Sequence, residues 1–101
     1  MSVLHINKNN FDSVKNSSKP VLLDFYADWC GPCRMVSPLV DEIAAENPQY
    51  LVGKINVDAE PELAQAFGVM SIPTLVTMKN GTVTAKSTGA RPKQQILSML
   101  Q

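Results

Sequence analysis

Cysteine is scarce in this sequence: two in 101 residues, both inside Trp29-Cys30-Gly31-Pro32-Cys33. Histidine is scarcer still, with His5 alone, so a zinc site built from Cys and His would stop at three ligands. His5 reads as an ordinary strand residue. An excess of either charge is also missing. Nine Lys plus Arg balance nine Asp plus Glu, which argues against nucleic acid or an anionic membrane as partner. No apolar run approaches the length of a membrane span. The N-terminal stretch Met1-Ser2-Val3-Leu4-His5-Ile6-Asn7-Lys8 lacks a positive region followed by a long apolar one. A soluble cytoplasmic protein is expected. Repeats and low-complexity tracts are lacking too, and the length predicts one domain over residues 1–101, with 45% hydrophobic residues to fill one small core. In a reducing cytosol a lone cysteine pair is catalytic or metal-binding more often than structural.

What is present is a regular alternation of strand and helix patterns. Val3 to Ile6 is a short strand candidate, and Asn9-Asn10 offers a cap to a helix from Phe11 to about Asn16. Ser17-Ser18-Lys19-Pro20 breaks the chain before Val21-Leu22-Leu23-Asp24-Phe25-Tyr26-Ala27, whose nearly unbroken apolar character predicts a strand covered on both faces. After the cysteines, Met35, Val36, Leu39, Val40, Ile43 and Ala44 recur at helical spacing, with Asp41 opposite them and Glu42 and Glu46 along the flank. Pro32 suits the first turn of this long helix, whereas Pro38 inside it predicts a bend. Asn47-Pro48 ends it. Leu51 to Val57 reads as a second inner strand, and Glu62 to Phe67 as a short helix stopped by Gly68. Asn80-Gly81, between Leu75–Lys79 and Thr82–Ser87, is a strong hairpin signal. Pro92 to Leu100 closes the chain as an amphipathic helix. The order is βαβαβαββα. Right-handed crossovers then make the first three strands parallel within a mixed α/β sheet that carries helices on both faces.

The two sulfurs, three positions apart, can close a small ring and reopen it. Lying where a strand runs into a helix, the first is expected to face solvent and the second to be less exposed. As a structural staple the pair is poor, because closing a loop of about four residues contributes only ~2 kcal/mol in the chain-entropy model. Redox chemistry is the favoured reading. The attacking species in disulfide exchange is a thiolate, and unpaired N–H groups and the positive end of a helix dipole would favour that anion at Cys30. Cys33 is suited to the second step, attack on the mixed disulfide formed by Cys30. Asp24 interrupts an apolar run. A carboxylate there is costly unless paired or protonated, so it either faces a cavity or water or serves as a buried proton acceptor and donor.

The pentapeptide, preceded by Asp24-Phe25-Tyr26-Ala27-Asp28 and followed by Pro38, Ile72-Pro73-Thr74 and Gly89-Ala90, closely resembles the thioredoxin family across nearly the whole chain. A bare C-x-x-C is weak, but this joint match is specific. The resemblance implies a thioredoxin-like fold and a dithiol-disulfide oxidoreductase without bound cofactor. Cys30 would be the nucleophile with a lowered pKa, Cys33 the resolving thiol, Asp24 the proton-transfer group and Lys54 the ammonium that tunes it. Gly31 and Pro32 would belong to the catalytic motif between the cysteines, Pro73 would be a cis-proline, and Trp29, Gly31, Pro32, Ile72, Pro73, Gly89 and Ala90 would form a flat, partly apolar substrate-docking surface on which Ile72 offers its free backbone groups. The implied partners are a flavin-containing, NADPH-dependent thioredoxin reductase and clients such as ribonucleotide reductase, peroxiredoxin and methionine sulfoxide reductase; a monomer is expected. Tyr26, Met70 and Thr88 depart from the commonest family pattern, the last two at the border of that surface. A disulfide oxidase or isomerase is the alternative within enzymes, although such relatives usually carry His where this chain has Pro32. A binding module whose redox activity is incidental is the alternative outside them.

Overall fold

The computed structural model describes residues 3–101; Met1 and Ser2, the first residues of the N-terminal stretch read above, lie outside that range. The elements follow the expected order: β1 (Val3–His5), α1 (Phe11–Lys15), β2 (Val21–Tyr26), α2 (Gly31–Glu46), β3 (Leu51–Asn56), α3 (Pro61–Ala66), β4 (Thr74–Lys79), β5 (Thr82–Thr88) and α4 (Lys93–Met99). The strands form one sheet in the order β1-β3-β2-β4-β5. As expected, β1 and β2 run parallel to β3, while β4 is antiparallel to both β2 and β5.

β2 is central because it is apolar on both faces. Leu23 and Phe25 enter one layer with Val14 of α1 and Leu63 and Ala64 of α3. Leu22 enters the other with Val36, Val40 and Ile43 of α2 and Ile96 of α4. This is the period of two expected of a strand sandwiched between helices. Each fully buried Leu, Ile or Phe contributes roughly 1.5–3 kcal/mol relative to exposure. Phe67 closes the first layer edge-on against Phe11, with ring centroids 5.6 Å apart. On the other side Lys93 ties α4 to α2 through Glu42 at 2.9 Å and Glu46 at 2.7 Å.

One local expectation changes. Asn10 stands at the N-cap of α1, but at φ −109° and ψ −1° it is already in the helical region. A side-chain cap needs an extended backbone there. Its Oδ1 instead accepts the Asn7 N–H at 2.9 Å and its Nδ2 donates to the His5 carbonyl at 3.0 Å. Pro38 lies inside α2, as expected, and the helix continues to Glu46; its missing N–H leaves the Arg34 carbonyl without the usual donor.

Gly53 marks a close approach between β3 and the chain leaving β1. A methyl group on it would overlap Ile6 Cδ1, and would stand 2.8 Å from Ile6 Cγ1 and 3.3 Å from the Leu4 carbonyl oxygen. Ile6 is buried, so it cannot yield by turning into solvent. Overpacking costs about 1–3 kcal/mol and the gain from replacing a strand glycine offsets roughly 0.5–1 kcal/mol. Gly53→Ala is therefore expected to lower the urea midpoint, and an unchanged midpoint would show that β1 adjusts freely.

Candidate active site

β2 ends at Tyr26, and a short turn through Ala27, Asp28 and Trp29 leads directly into α2. Cys30 is the N-cap of that helix, with φ −89° and ψ 113°, and its Sγ accepts the Cys33 N–H at 3.2 Å. Gly31 and Pro32 form the first turn, where a proline displaces no hydrogen bond. Cys33 follows one turn on and is joined to Cys30 as a disulfide, with 5.3 Å between the Cα atoms. The sulfur thus receives an amide N–H at the positive end of a 16-residue helix. That arrangement favours negative charge on Cys30 once the disulfide opens.

The two cysteines do not differ in exposure as expected. Each is only 4% exposed. Ala27, Tyr26, Val57 and Ile72 pack around the pair, and Cys30 Sγ lies 3.8 Å from the Ile72 carbonyl oxygen. The side chain that does stand in solvent is Trp29, 68% exposed, whose indole N–H donates to Asp58 Oδ2 at 2.9 Å.

The peptide bond between Ile72 and Pro73 is cis. The Gly89 N–H donates to the Pro73 carbonyl at 2.8 Å, which ties the end of β5 to the start of β4. Gly89 adopts φ +95°, a conformation that disfavours any side chain. Among the described residues neither the N–H nor the carbonyl of Ile72 makes a backbone hydrogen bond. An apolar groove of about 430 Å³ runs beside the pair, lined by Trp29, Val57, Met70 and Ile72, with Met70 96% exposed. A second groove of about 330 Å³ is lined by Met35, Leu39, Ala90, Arg91 and Pro92. Thr88, the register partner of Thr74, is exposed at the end of β5.

Asp24 is 1% exposed, and its Oδ1 has no hydrogen-bond partner. Burial pushes its carboxyl pKa up to about 6; the Lys54 ammonium opposes the rise and the Asp41 carboxylate adds to it. Lys54 is the register partner of Asp24 on β3. Its ammonium, however, is held by α2: Nζ lies 3.0 Å from Asp41 Oδ1 and donates to Ser37 Oγ. The expected proximity of Lys54 to Asp24 is thus a backbone register relation, and its charge acts on Asp24 through space.

Asp58, Asp41 and Ser37 escaped the sequence reading. Asp58 and Ser37 carry no signal in the sequence, and Asp41 reads only as lying opposite the apolar positions of the long helix. The spacing of four between Ser37 and Asp41 places them on one side of a helix, but nothing in the sequence says that Lys54 meets them there.

Comparison with known proteins agrees with this geometry. A family model described as Thioredoxin matches residues 2–101. The chain is 49% identical over 100 residues to a thioredoxin of Haemophilus influenzae, covering 97% of this chain and 94% of that one. It is 47% identical over 88 residues to the bifunctional thioredoxin reductase/thioredoxin of Mycobacterium leprae, covering 86% of this chain and 19% of that longer protein. Among solved structures, a mutant thioredoxin from Halobacterium salinarum superposes with a TM-score of 0.91 at 36% identity, covering 98% of this chain and 88% of that one.

Proposed function

The chain belongs to the thioredoxin family and is a thiol-disulfide oxidoreductase, and from that premise we propose that it is a single-domain reductant of protein disulfides, itself re-reduced by an NADPH-dependent thioredoxin reductase. The observation that carries the reading is the Cys30–Cys33 pair at the N-terminus of α2, with the Cys33 N–H directed at Cys30 Sγ.

In the reduced protein, Cys30 is the nucleophile. Its thiolate attacks one sulfur of the client disulfide, forming a mixed disulfide and releasing the other client sulfur as a thiolate that takes a proton from solvent. Cys33 then loses its proton to the Asp24 carboxylate, directly or through water, and attacks Cys30 Sγ. The Cys30–Cys33 bond forms, the bond to the client breaks, and its electron pair leaves with the second client sulfur. Two electrons pass to the client and the protein is left as the disulfide described above. Lys54 tunes Asp24, and Gly31 and Pro32 keep the redox turn tight. Trp29, Ile72, Gly89 and Ala90 border the bound segment, which pairs with the free backbone groups of Ile72 beside the cis-proline Pro73.

The reductase partner is supported by the Mycobacterium leprae relative, named for both activities in one chain. Family resemblance supports ribonucleotide reductase, peroxiredoxin and methionine sulfoxide reductase as clients. The same reading, through the family resemblance, takes in a cytoplasmic location; none of the helices among the described residues is long and apolar enough to cross a membrane. The test is NADPH-driven reduction of insulin with a purified thioredoxin reductase. NADPH consumption that requires both proteins is expected; an oxidised chain that the reductase leaves untouched and that fails to reduce insulin even after chemical reduction would overturn the reading.

A further inference from the structure

Lys54 stands at a branch point. Its backbone on β3 is in register with Asp24, yet its ammonium is directed to α2, 3.0 Å from Asp41 Oδ1 and in contact with Ser37 Oγ. The Lys54 side chain is only 12% exposed, whereas that of Asp41 is 57% exposed. The buried Asp24 Oδ1 has no hydrogen-bond partner. A long, flexible cation beside an unpartnered buried carboxylate would be expected to move toward it, unless something holds the cation elsewhere.

We propose that Ser37 and Asp41 are positioning residues of the dithiol site: from one side of α2 they grip the Lys54 ammonium, keep it off the Asp24 carboxylate, and so preserve the ability of Asp24 to take the proton of Cys33. One turn of α2 apart, the two side chains present a hydroxyl and a carboxylate to the same ammonium. The inference rests, in its consequence for rate, on the proton-transfer role proposed for Asp24. The arrangement itself does not depend on that role.

The charged and titratable groups around the branch point define what the test must separate. β2 contributes Asp24 and, two residues on and on the same face, Tyr26; α2 contributes Asp41 and Cys33; β1 contributes His5, the register partner of Lys54. β4 places uncharged Leu75 opposite Asp24. Removing the Asp41 charge has two effects of the same sign on Asp24: a repelling anion is lost, and Lys54 is released toward the carboxylate. Ser37→Ala produces only the second, because it changes no charge.

The experiment is an NMR titration of the Asp24 carboxyl in the oxidised protein, where neither cysteine titrates. It uses wild type, Ser37→Ala, Ser37→Thr, Asp41→Asn, Lys54→Met and the Asp41→Asn, Lys54→Met double variant. In Ser37→Ala and Asp41→Asn the Asp24 pKa is expected to fall, by about one unit or more for a cation brought within ion-pair range, while Ser37→Thr keeps the wild-type value. On the Lys54→Met background the effect of Asp41→Asn should shrink to that of a distant charge. An Asp24 pKa unmoved by Ser37→Ala, together with an Asp41→Asn effect of equal size with and without Lys54, would overturn the proposal. The reduced proteins supply the second readout, the pH profile of mixed-disulfide resolution, whose acid limb should move to lower pH with the Asp24 pKa. If the NMR pKa falls and the profile stays in place, the positioning stands and the proton-transfer role of Asp24 is refuted.

Discussion

Cys33→Ser is expected to stop the reaction halfway, with the client held to Cys30 in a stable mixed disulfide, while Cys30→Ser reduces insulin no faster than the uncatalysed background. The asymmetry follows from the N-terminus of α2. Only Cys30 Sγ receives the Cys33 N–H, and only Cys30 occupies the N-cap, so its thiolate is the one that the helix stabilises. A serine in its place offers a hydroxyl that is scarcely ionised near neutrality and has no sulfur with which to form the mixed disulfide. A serine at 33 leaves the first step intact and removes the thiol that releases the client. Mass spectrometry of the adducts under non-reducing conditions decides the matter, because the cross-linked peptide must contain Cys30. Capture of clients mainly through Cys33 in the Cys30→Ser protein would reverse the two roles.

Asp24→Asn should stabilise the protein at neutral pH and slow its chemistry. The folded-state pKa of Asp24 is raised, from 3.8 to about 6, chiefly by burial. For a carboxyl whose pKa rises on folding, the favourable state is the protonated one. The associated stability is fully present below the unfolded pKa and is lost as pH rises through the folded pKa, so the window runs from about pH 4 to somewhat above pH 6. At about 1.4 kcal/mol per pH unit, ionised Asp24 costs the fold about 3 kcal/mol at neutrality. An asparagine avoids that cost, although its buried amide offsets part of the gain if left unpaired. The melting temperature at neutral pH should rise by on the order of 10 °C for a domain of this size. The pH-dependent part of the difference between the two proteins should vanish below about pH 4. In the same variant Cys33 loses its proton acceptor, so release of client from the mixed disulfide slows. A pH series of melting curves, with insulin-reduction rates measured alongside, checks both halves. A variant that is less stable than wild type at neutrality and equally fast would refute the buried proton shuttle.

The order of elements, the central strand and the redox pair could all be read from the sequence because each rests on neighbours in the chain. The apolar run from Val21 to Ala27, the helical spacing of Val36, Val40 and Ile43, and Asn80-Gly81 are local patterns, and local geometry decides them. The same holds for Cys30 and Cys33: three residues at a helix start bring two sulfurs within bonding distance whatever the remainder of the chain does. Exposure was different. Both cysteines are closed off because Val57 and Ile72, far away in sequence, pack on them. The partner of the Trp29 indole, Asp58, is likewise 29 residues away in sequence. Lys54 shows the limit most clearly. Strand register alone puts it beside Asp24, and only the packing of α2 across that face of the sheet sends its ammonium to Asp41 and Ser37. A lysine has four rotatable carbons between backbone and charge, so what it pairs with is decided by which anions the tertiary structure brings within its reach.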